Sequence, residues 1–177
     1  ETTNNRDLLF FTDRCQVYKA RLADFDCTKA SVMGEYIPSK LGMDEGERPI
    51  AMAITRDYEG SMLFCFDNGK IAKVQMSAYA TKTNRRKLLA AYSDKAPLVA
   101  AIYAPEDSEY LLTSSSGKML LLHSGALQSK TTKNTQGVAV MTLRRNHRVI
   151  RFEPYKEGSL QKPFRYRAKS LPAAGAM

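Results

Sequence analysis

The sequence predicts an all-β fold of about three four-stranded repeats, stacked like the blades of a propeller. A hairpin pattern, in which a polar turn separates two apolar runs, occurs three times and starts at Leu9, Leu63 and Leu111, hence at spacings of 54 and 48 residues. Another apolar run follows each hairpin after a polar loop, and no segment has a long apolar period of 3.6 residues. Repeats of about 50 residues with about four strands are typical of propeller-like blades, which stack because one repeat cannot bury its own core.

The hairpins occupy residues 9–19, 63–73 and 111–121, and we expect their turns near 13–16, 67–70 and 115–118. Gly69 and Gly117 stand where such a turn favours a positive φ, and Asp, Asn or Ser precedes them. Cys15 takes this position in the first copy. It must therefore adopt the left-handed conformation at some cost, unless the first turn differs.

A third strand is expected in each repeat, at residues 49–54, 97–103 and 137–143, with a further candidate strand at 148–152. Residues 87–92 are expected to form at most a short helical turn. Repeat boundaries are placed at 7–55, 61–107 and 109–154, which gives a three-blade domain over 1–154. The remainder, 155–177, is a basic tail with one candidate edge strand around 165–171. Because an open arc of blades leaves sheet edges exposed, we expect the tail or flanking sequence to cover them.

The composition is that of a globular domain with a strongly uneven charge. The 177 residues are 44% hydrophobic and 25% charged, enough to bury a core, and the formal net charge is +9. Residues 1–69 carry 8 basic and 12 acidic side chains, whereas residues 70–177 carry 19 and 6. No acid occurs from Tyr110 to Phe152. A one-sided positive field of this kind indicates a polyanionic partner.

The candidate binding residues are cations that recur at equivalent positions of the repeats. They lie in matching loops of repeats two and three, just past the hairpin turns, and in the acid-free stretch: Lys70, Lys82, Arg85, Arg86, Lys87, Lys118, Lys130, Lys133, Arg144 and Arg145. A curved row of cations on one face can follow the phosphates of a bent duplex, and neighbouring Ser, Thr and Asn can donate to phosphate oxygens. Base-specific recognition is not expected, because no recognition helix is visible. A solvated charged surface is the alternative.

Acidic residues form two clusters, which we expect to be solvated turns on the face away from the cations: Asp44, Glu45 and Glu47, then Glu106, Asp107 and Glu109. Motifs of nucleophilic, phosphate-loop or metal sites are not found, so no catalytic residue, metal or cofactor is expected. Structural roles are expected for both histidines and for three tyrosines on strands, namely His123, His147, Tyr18, Tyr79 and Tyr103.

Three cysteines without a Cys-x-x-Cys pair indicate a reducing compartment. Cys65 is expected to be a small buried hydrophobe. Because the chain starts at Glu1 rather than Met, we expect it to be an excised or processed piece.

Several of these motifs together resemble a known domain. The segments at 8–18, 46–50, 67–70 and 127–138 resemble the C-terminal domain of the A-type subunit of bacterial DNA gyrase, which also occurs in the A-type subunit of topoisomerase IV. The resemblance spans roughly residues 7–154. It implies a β-pinwheel, a propeller-like disc whose blades exchange strands, with DNA bent around a basic outer rim.

The chain departs from this family in two respects. It has about three blades where about six are common. It also has no intact Gln-Arg-Arg-Gly-Gly-Lys-Gly heptad, and its nearest stretches are 83–87 and 133–137. The departures favour a subunit like that of topoisomerase IV, or a divergent one, over chiral wrapping of the gyrase type.

The resemblance implies a non-catalytic domain that binds and bends duplex DNA without sequence specificity and assists changes in DNA topology. Its parent would be an ATP-hydrolysing DNA topoisomerase, an isomerase, of the bacterial cytoplasm and nucleoid, with no membrane association. Its partners would be double-stranded DNA, the ATPase subunit of the holoenzyme and the remainder of the A-type subunit. The alternative is a protein-interaction propeller that binds an acidic partner. An enzyme with a site between blades would need catalytic residue types clustered in equivalent loops, and the sequence offers none.

Overall fold

A computed structural model describes residues 5–83 and 85–177, and within these ranges it contains eleven β-strands and one short α-helix. The strands are β1 (Asp7–Thr12), β2 (Val17–Arg21), β3 (Pro49–Thr55), β4 (Ser61–Phe66), β5 (Lys70–Gln75), β6 (Lys87–Leu88), β7 (Leu98–Ala104), β8 (Glu109–Ser114), β9 (Met119–His123), β10 (Val138–Ala139) and β11 (Val149–Pro154). The helix is α1 (Ile37–Leu41), and short 3-10 turns lie at Leu22–Asp24, Met76–Tyr79, Ser124–Ala126 and Pro163–Arg165.

The strands form three antiparallel sheets. Their strand orders are β3-β1-β2-β6, β10-β5-β4-β7 and β11-β8-β9. The predicted all-β fold class is therefore confirmed, although the third sheet has three named strands rather than four. The expectation that residues 7–154 contain no helix of three turns is also confirmed for the described residues, since α1 has five residues.

Each sheet is centred on one of the three predicted hairpins. The hairpins pair Phe10 with Tyr18, Phe64 with Ala72 and Leu112 with Leu120, so their turns lie at the predicted positions. Gly69 and Gly117 have φ of +80°, and Cys15 has φ of +56°. The expected left-handed conformation at Cys15 is confirmed, at a position where a side chain with a Cβ is strained.

The outer strand of each of the first two sheets comes from the repeat that follows. β6 pairs with β2, with Leu88 opposite Val17, and β10 pairs with β5, with Val138 opposite Ile71. Two of the sequence-based predictions are therefore wrong. Residues 87–92 begin with a strand rather than a helical turn. Residues 137–143 contribute to the second sheet, because β5 offers a free edge there.

The third repeat takes its third strand from β11 instead. In the third sheet, the basic tail lies where an exchanged strand would lie. Isolated bridges join Met119 to Ala176 and Leu121 to Arg167. The backbone N–H groups of Met119 and Leu121 donate to the carbonyls of Ala176 and Tyr166, both at 2.8 Å. The tail therefore covers the edge that β9 would otherwise expose.

The buried core lies between the sheets. The first layer joins side chains such as Leu9, Phe11, Phe64 and Tyr79, and the Phe11 ring meets those of Phe64 and Tyr79 edge to face. The second layer joins the second and third sheets through Leu63, Cys65, Leu112, Leu120 and Phe152.

A third, smaller cluster lies on the outward face of the first sheet. There Leu8 and Phe10 are covered by Phe25, Ile37 and Leu41 of the segment 22–48. This segment has no counterpart in the other two repeats.

The sheets form an arc with distinct inner and outer edges. β7 lies alongside both β3 and β11, so these three strands form the inner edge. β6, β10 and the tail lie at the opposite edge of their sheets. No helix in the described residues has the length and apolar character needed to cross a bilayer.

Candidate nucleic-acid interface

Three segments run along the outer edges of the sheets, and we call them exchange segments. The first comprises residues 80–83 and 85–91 along β2, the second residues 128–141 along β5, and the third residues 166–176 along β9. Backbone hydrogen bonds hold each of them to its sheet. In the first, Lys19 N–H donates to Arg86 O at 2.6 Å and Ala91 N–H donates to Cys15 O at 2.8 Å. In the second, Lys130 N–H donates to Lys73 O at 2.8 Å.

Three of the predicted cations, Lys82, Arg85 and Arg86, lie exposed on the first exchange segment. Arg85 and Arg86 line a surface cavity of about 330 Å³ together with Lys19 and Arg21 of β2. Asp7 and Asp24 also line this cavity, so its charge is mixed but positive on balance. The arrangement places four cations beside the outer edge of the first sheet.

Lys87 has a different environment from its neighbours. Its ammonium lies 2.9 Å from the Asp44 carboxylate and 5.4 Å from the centre of the Tyr18 ring. The Lys87 ammonium lowers the pKa of the Asp44 carboxyl, chiefly through this hydrogen bond. The expectation that Asp44 lies away from the cationic face is therefore wrong. The segment 22–48 folds back over the first sheet and brings the acid to Lys87.

The second exchange segment carries Lys130, which is exposed, and Lys133, which is half-buried. The Lys130 ammonium donates to Gln128 Oε1 at 3.3 Å. Lys70 starts β5 directly opposite Ala139 of this segment. The structure thus brings Lys70 beside the second exchange segment.

Lys118, Arg144 and Arg145 lie near the hairpin end of the third sheet. Lys118 precedes β9 and is half-buried, whereas Arg144 and Arg145 are exposed on the loop that follows the second exchange segment. Of the ten predicted cations, Lys87 alone lies within 4.0 Å of a carboxylate of the described residues. The other nine have no such fixed counter-ion among those residues. The single continuous face expected for these cations stays a prediction.

Sequence reasoning missed two lysines, Lys19 and Lys73, that connect neighbouring repeats. Lys19 Nζ donates to Tyr79 O and to Thr81 Oγ1, both at 3.0 Å, and burial lowers its pKa. Lys73 Nζ donates to Asp107 Oδ1 at 2.7 Å and to Ser124 O at 3.1 Å. The signal was present, because both lysines are the last residue of their hairpin repeat, 54 positions apart.

The first acidic cluster is only partly solvated, which corrects the sequence-based expectation. Glu47 is buried, and its carboxylate accepts hydrogen bonds from the Thr12 hydroxyl, from the Tyr18 hydroxyl at 2.8 Å and from Asp44 N–H at 3.0 Å. Glu45 is exposed, as expected. Glu47 therefore joins the loop before β3 to the first hairpin.

The second acidic cluster is exposed at Glu106, but its other two carboxylates are paired. A hydrogen bond from Lys73 and a second from Ser124 Oγ at 2.8 Å lower the pKa of Asp107. Arg167 binds Glu109 through two hydrogen bonds, of 2.6 and 2.9 Å, and lowers the pKa of that carboxyl. These acids therefore neutralise local cations and tie the connectors and tail to the sheets.

Five more side chains singled out from the sequence have structural roles. Tyr18 and Tyr79 are buried and Tyr103 is half-buried, so the predicted packing roles are confirmed. His123 Nδ1 accepts a hydrogen bond from Gly125 N–H at 3.1 Å. Cys65 is fully buried, as expected, and burial raises its pKa to about 12.

The described part of the chain has no group of three His, Cys, Asp or Glu side chains that could hold a metal ion. The three cysteines are free thiols.

Comparison with known proteins gives no match to a family model. The chain is 22% identical over 141 residues to the A-type subunit of DNA gyrase (gyrase A) from Mycoplasma genitalium, covering 78% of this chain and 17% of the relative. It is 25% identical over 122 residues to the corresponding gyrase A of Mycoplasma pneumoniae, covering 68% and 14%. The chain therefore spans about a sixth of the length of these curated relatives.

Among solved structures, the C-terminal domain of DNA topoisomerase IV matches with a TM-score of 0.73 at 18% identity, over 88% of this chain and 49% of that one. The DNA gyrase A C-terminal domain matches with a TM-score of 0.58 at 16% identity, over 88% and 50%. The C-terminal domain of E. coli ParC matches with a TM-score of 0.63 at 16% identity, over 85% and 62%. The resemblance stated from the sequence and the β-pinwheel fold are thus confirmed.

Proposed function

We propose that this chain is a non-catalytic accessory domain of a type IIA DNA topoisomerase, part of its A-type subunit, which binds duplex DNA without sequence specificity and bends it. The observation that carries the proposal is the exposed cations on the outer exchange segments of a β-pinwheel fold. Outer edges of successive sheets in an arc follow a curved path. Cations along such a path suit the phosphates of a bent duplex.

The chemistry of the segments supports phosphate contacts rather than base contacts. Lys82, Arg85 and Arg86 are exposed, and they are accompanied by the exposed Thr83, whose hydroxyl can also donate to a phosphate oxygen. The described residues include no helix longer than five residues that could enter a major groove. Affinity should therefore depend on charge and on DNA shape more than on sequence.

The partners of the domain follow from the same proposal. They are double-stranded DNA, the ATPase subunit of the holoenzyme and the remainder of the A-type subunit. In such a holoenzyme ATP hydrolysis belongs to the ATPase subunit, which corrects the expectation that the parent chain itself hydrolyses ATP. The domain itself would hold and bend DNA next to the cleavage site and would neither cut DNA nor hydrolyse ATP.

A salt titration of binding to random duplex DNA tests the proposal. If about six cations neutralise phosphates, the slope of log K against log salt should be near −5, at about −0.9 per phosphate. Replacing Lys82, Arg85 and Arg86 with Ala should flatten the slope by roughly 2 to 3 units and weaken all duplexes alike. Lys87 is left intact in this variant, because its ammonium already pairs with Asp44.

The matched control removes the same charge elsewhere. Lys29, Lys156 and Lys162 are exposed cations that lie on none of the exchange segments, and their triple Ala variant should keep the wild-type slope. Equal loss in both variants would show that net charge alone drives binding. A wild-type slope near zero would reject DNA binding and favour an acidic protein partner. Bending is measured separately, as a shorter end-to-end distance in a doubly labelled duplex.

A further inference from the structure

A second, smaller cavity lies at the hairpin end of the third sheet and has an unusual lining. Its volume is about 200 Å³, and three segments form its walls: the β8–β9 turn, the loop after β10 and the end of the tail. The polar groups on these walls are Ser114, Ser116, Lys118, Thr142, Arg144 and His147. Since a water molecule occupies about 30 Å³ in the liquid, there is room for a tetrahedral oxyanion and some water.

The lining contains several hydrogen-bond donors and no Asp or Glu side chain. No carboxylate of the described residues lies within 4.0 Å of Lys118 or Arg144. Neither cation is therefore neutralised by a fixed partner among those residues. The surrounding stretch of sequence, from Tyr110 to Phe152, contains no acid at all. The charged side chains on the walls are therefore cations alone, which an anion would balance.

A serine stands beside this cavity where the other two sheets have a carboxylate. The first turn residue after the hairpin's first strand is Asp13 in the first sheet, Asp67 in the second and Ser115 in the third. Asp13 Oδ1 accepts a hydrogen bond from Arg48 N–H at 2.9 Å, and Ser115 Oγ accepts the equivalent bond from Arg148 N–H at 3.1 Å. Ser115 therefore keeps the turn contact without a negative charge beside the cavity.

The same serine also positions a cavity residue. Ser115 Oγ lies 3.4 Å from His147 Nδ1, which places the imidazole at the cavity wall. Ser114 Oγ and Ser116 Oγ lie 2.9 Å apart, so the Ser116 hydroxyl is held beside the start of the turn. Thr142 N–H donates to Ala173 O at 2.9 Å and fixes the tail as the third wall. The three walls of the cavity are thus held together by contacts of the fold itself.

We propose that this cavity is a phosphate-binding site, with Arg144 and Lys118 as the charged donors. Arg and Lys are the usual side chains for phosphate, since a guanidinium can donate two parallel hydrogen bonds and an ammonium supplies a compact charge. The phosphate can be a free ion or one phosphate of a DNA backbone. In the second case the inference rests on the proposed function.

The test is an NMR titration of the amides of residues 115–118 and 144 with inorganic phosphate, with chloride used to hold ionic strength constant. Saturable shifts confined to these amides are expected. Arg144→Ala and Lys118→Ala should each weaken phosphate binding by about tenfold or more, because hydrogen bonds to charged groups are the strong ones. Ser115→Asp, which introduces the acid of the other two sheets, should weaken it similarly without unfolding the turn.

Arg151→Ala is the matched control, because Arg151 lies exposed on β11 in the same sheet and does not line the cavity. Its phosphate affinity should equal that of the wild type. Absence of saturable shifts, or equal affinity in Arg144→Ala and the wild type, would overturn the inference. The salt slope lost on replacing Lys82, Arg85 and Arg86 would be unaffected by that result, so the two proposals fail separately.

A second arm identifies the source of the phosphate, and either of its results supports the site. If phosphate competes with duplex DNA and Arg144→Ala weakens both, the ligand is a backbone phosphate. If phosphate binds but the affinity for duplex DNA does not change in Arg144→Ala, the ligand is a free phosphate.

Discussion

At the scale of single residues, the buried carboxylate of Glu47 determines how the first sheet is held to the segment that covers it. Its oxygens accept hydrogen bonds from Thr12 and Tyr18 of the hairpin and from the backbone N–H of Asp44. Glu47 is 3% exposed, so water cannot replace its carboxylate as the acceptor of these hydrogen bonds without a rearrangement. One side chain therefore satisfies two hydroxyls on β1 and β2 and fixes the path of the chain into β3.

Replacing Glu47 with Ala should lower the free energy of unfolding by about 2 to 3 kcal/mol, because buried hydroxyls would lose their acceptor. The measurement is a urea unfolding curve at neutral pH. Glu45→Ala removes the same charge from an exposed side chain two positions earlier and should change stability by less than about 0.5 kcal/mol. Equal losses in the two variants would show that charge rather than burial is responsible.

The role of a residue could be predicted from the sequence where it depends on adjacent residues. It could not be predicted where the residue's partners are distant in the sequence. The positive φ of Cys15 followed from its position in the repeat, since the turn geometry is set by adjacent residues. The burial of Glu47 did not follow, because its donors Thr12 and Tyr18 lie 35 and 29 positions away in the sequence. The pairing of Lys87 with Asp44 was missed for the same reason, at a separation of 43 positions.

At the scale of secondary-structure elements, the exchanged strands are what bind each repeat to the one before it. β6 and β10 have two residues each, yet they close the outer edge of two sheets. Gly137, which precedes β10, has φ of +76°, and a Cβ there would meet the main chain of Ile71 and Ala72. The second exchange segment can therefore lie this close to β5 only with glycine at that position.

Gly137→Ala should destabilise the chain by about 3 kcal/mol or more, because a backbone clash adds to the left-handed strain. Gly117→Ala is the matched control. Its φ is also positive, at +80°, but a Cβ there has no heavy atom within 4 Å. It should cost only about 1 kcal/mol, the strain of the left-handed conformation alone. Thermal or urea unfolding of both variants measures the difference in stability. Equal losses of stability would show that the main chain of β5 does not restrict position 137.

The elements were predicted to very different degrees. The three hairpins followed from alternating apolar runs and turn residues, and all three turns are confirmed. The exchange strands could not be located, because two-residue strands leave no periodic pattern and their partners belong to another repeat. Residues 137–143 were therefore assigned to the wrong sheet. Helix α1 was missed, since five residues in a polar segment carry no apolar period.

At the scale of the whole molecule, the arc has an additional covering segment at each end. The segment 22–48 covers the outward face of the first sheet through Phe25, Ile37 and Leu41. The tail bridges β9 at Met119 and Leu121. The architecture of stacked blades was predictable from the repeats, whereas the cover at 22–48 has no repeated counterpart in the sequence to reveal it.

Removing residues 155–177 should destabilise the chain and promote its self-association. The N–H groups of Met119 and Leu121 would lose their partners, and an uncovered edge strand is a template for pairing with another chain. Size-exclusion chromatography with light scattering, together with urea unfolding, measures both effects. Arg167→Ala is the control, because it removes only an exposed ion pair with Glu109 and should leave the chain monomeric and nearly as stable. A truncated chain that behaves like wild type would show that the tail is dispensable.

Strand exchange also constrains how such a domain can gain or lose repeats during gene duplication. A hairpin with its third strand does not form a complete sheet when it is duplicated alone. The outer strand beside β2 and the one beside β5 are each encoded in the next repeat. A deletion of one whole period, from any point of one repeat to the equivalent point of the next, keeps the remaining outer edges paired, because the following repeat brings its own exchange segment to the sheet that now precedes it. A deletion that removes an exchange segment but keeps the hairpins on both sides of it leaves one sheet without its outer strand. Viable changes in repeat number should therefore add or remove whole periods, with both junctions at equivalent points of two repeats.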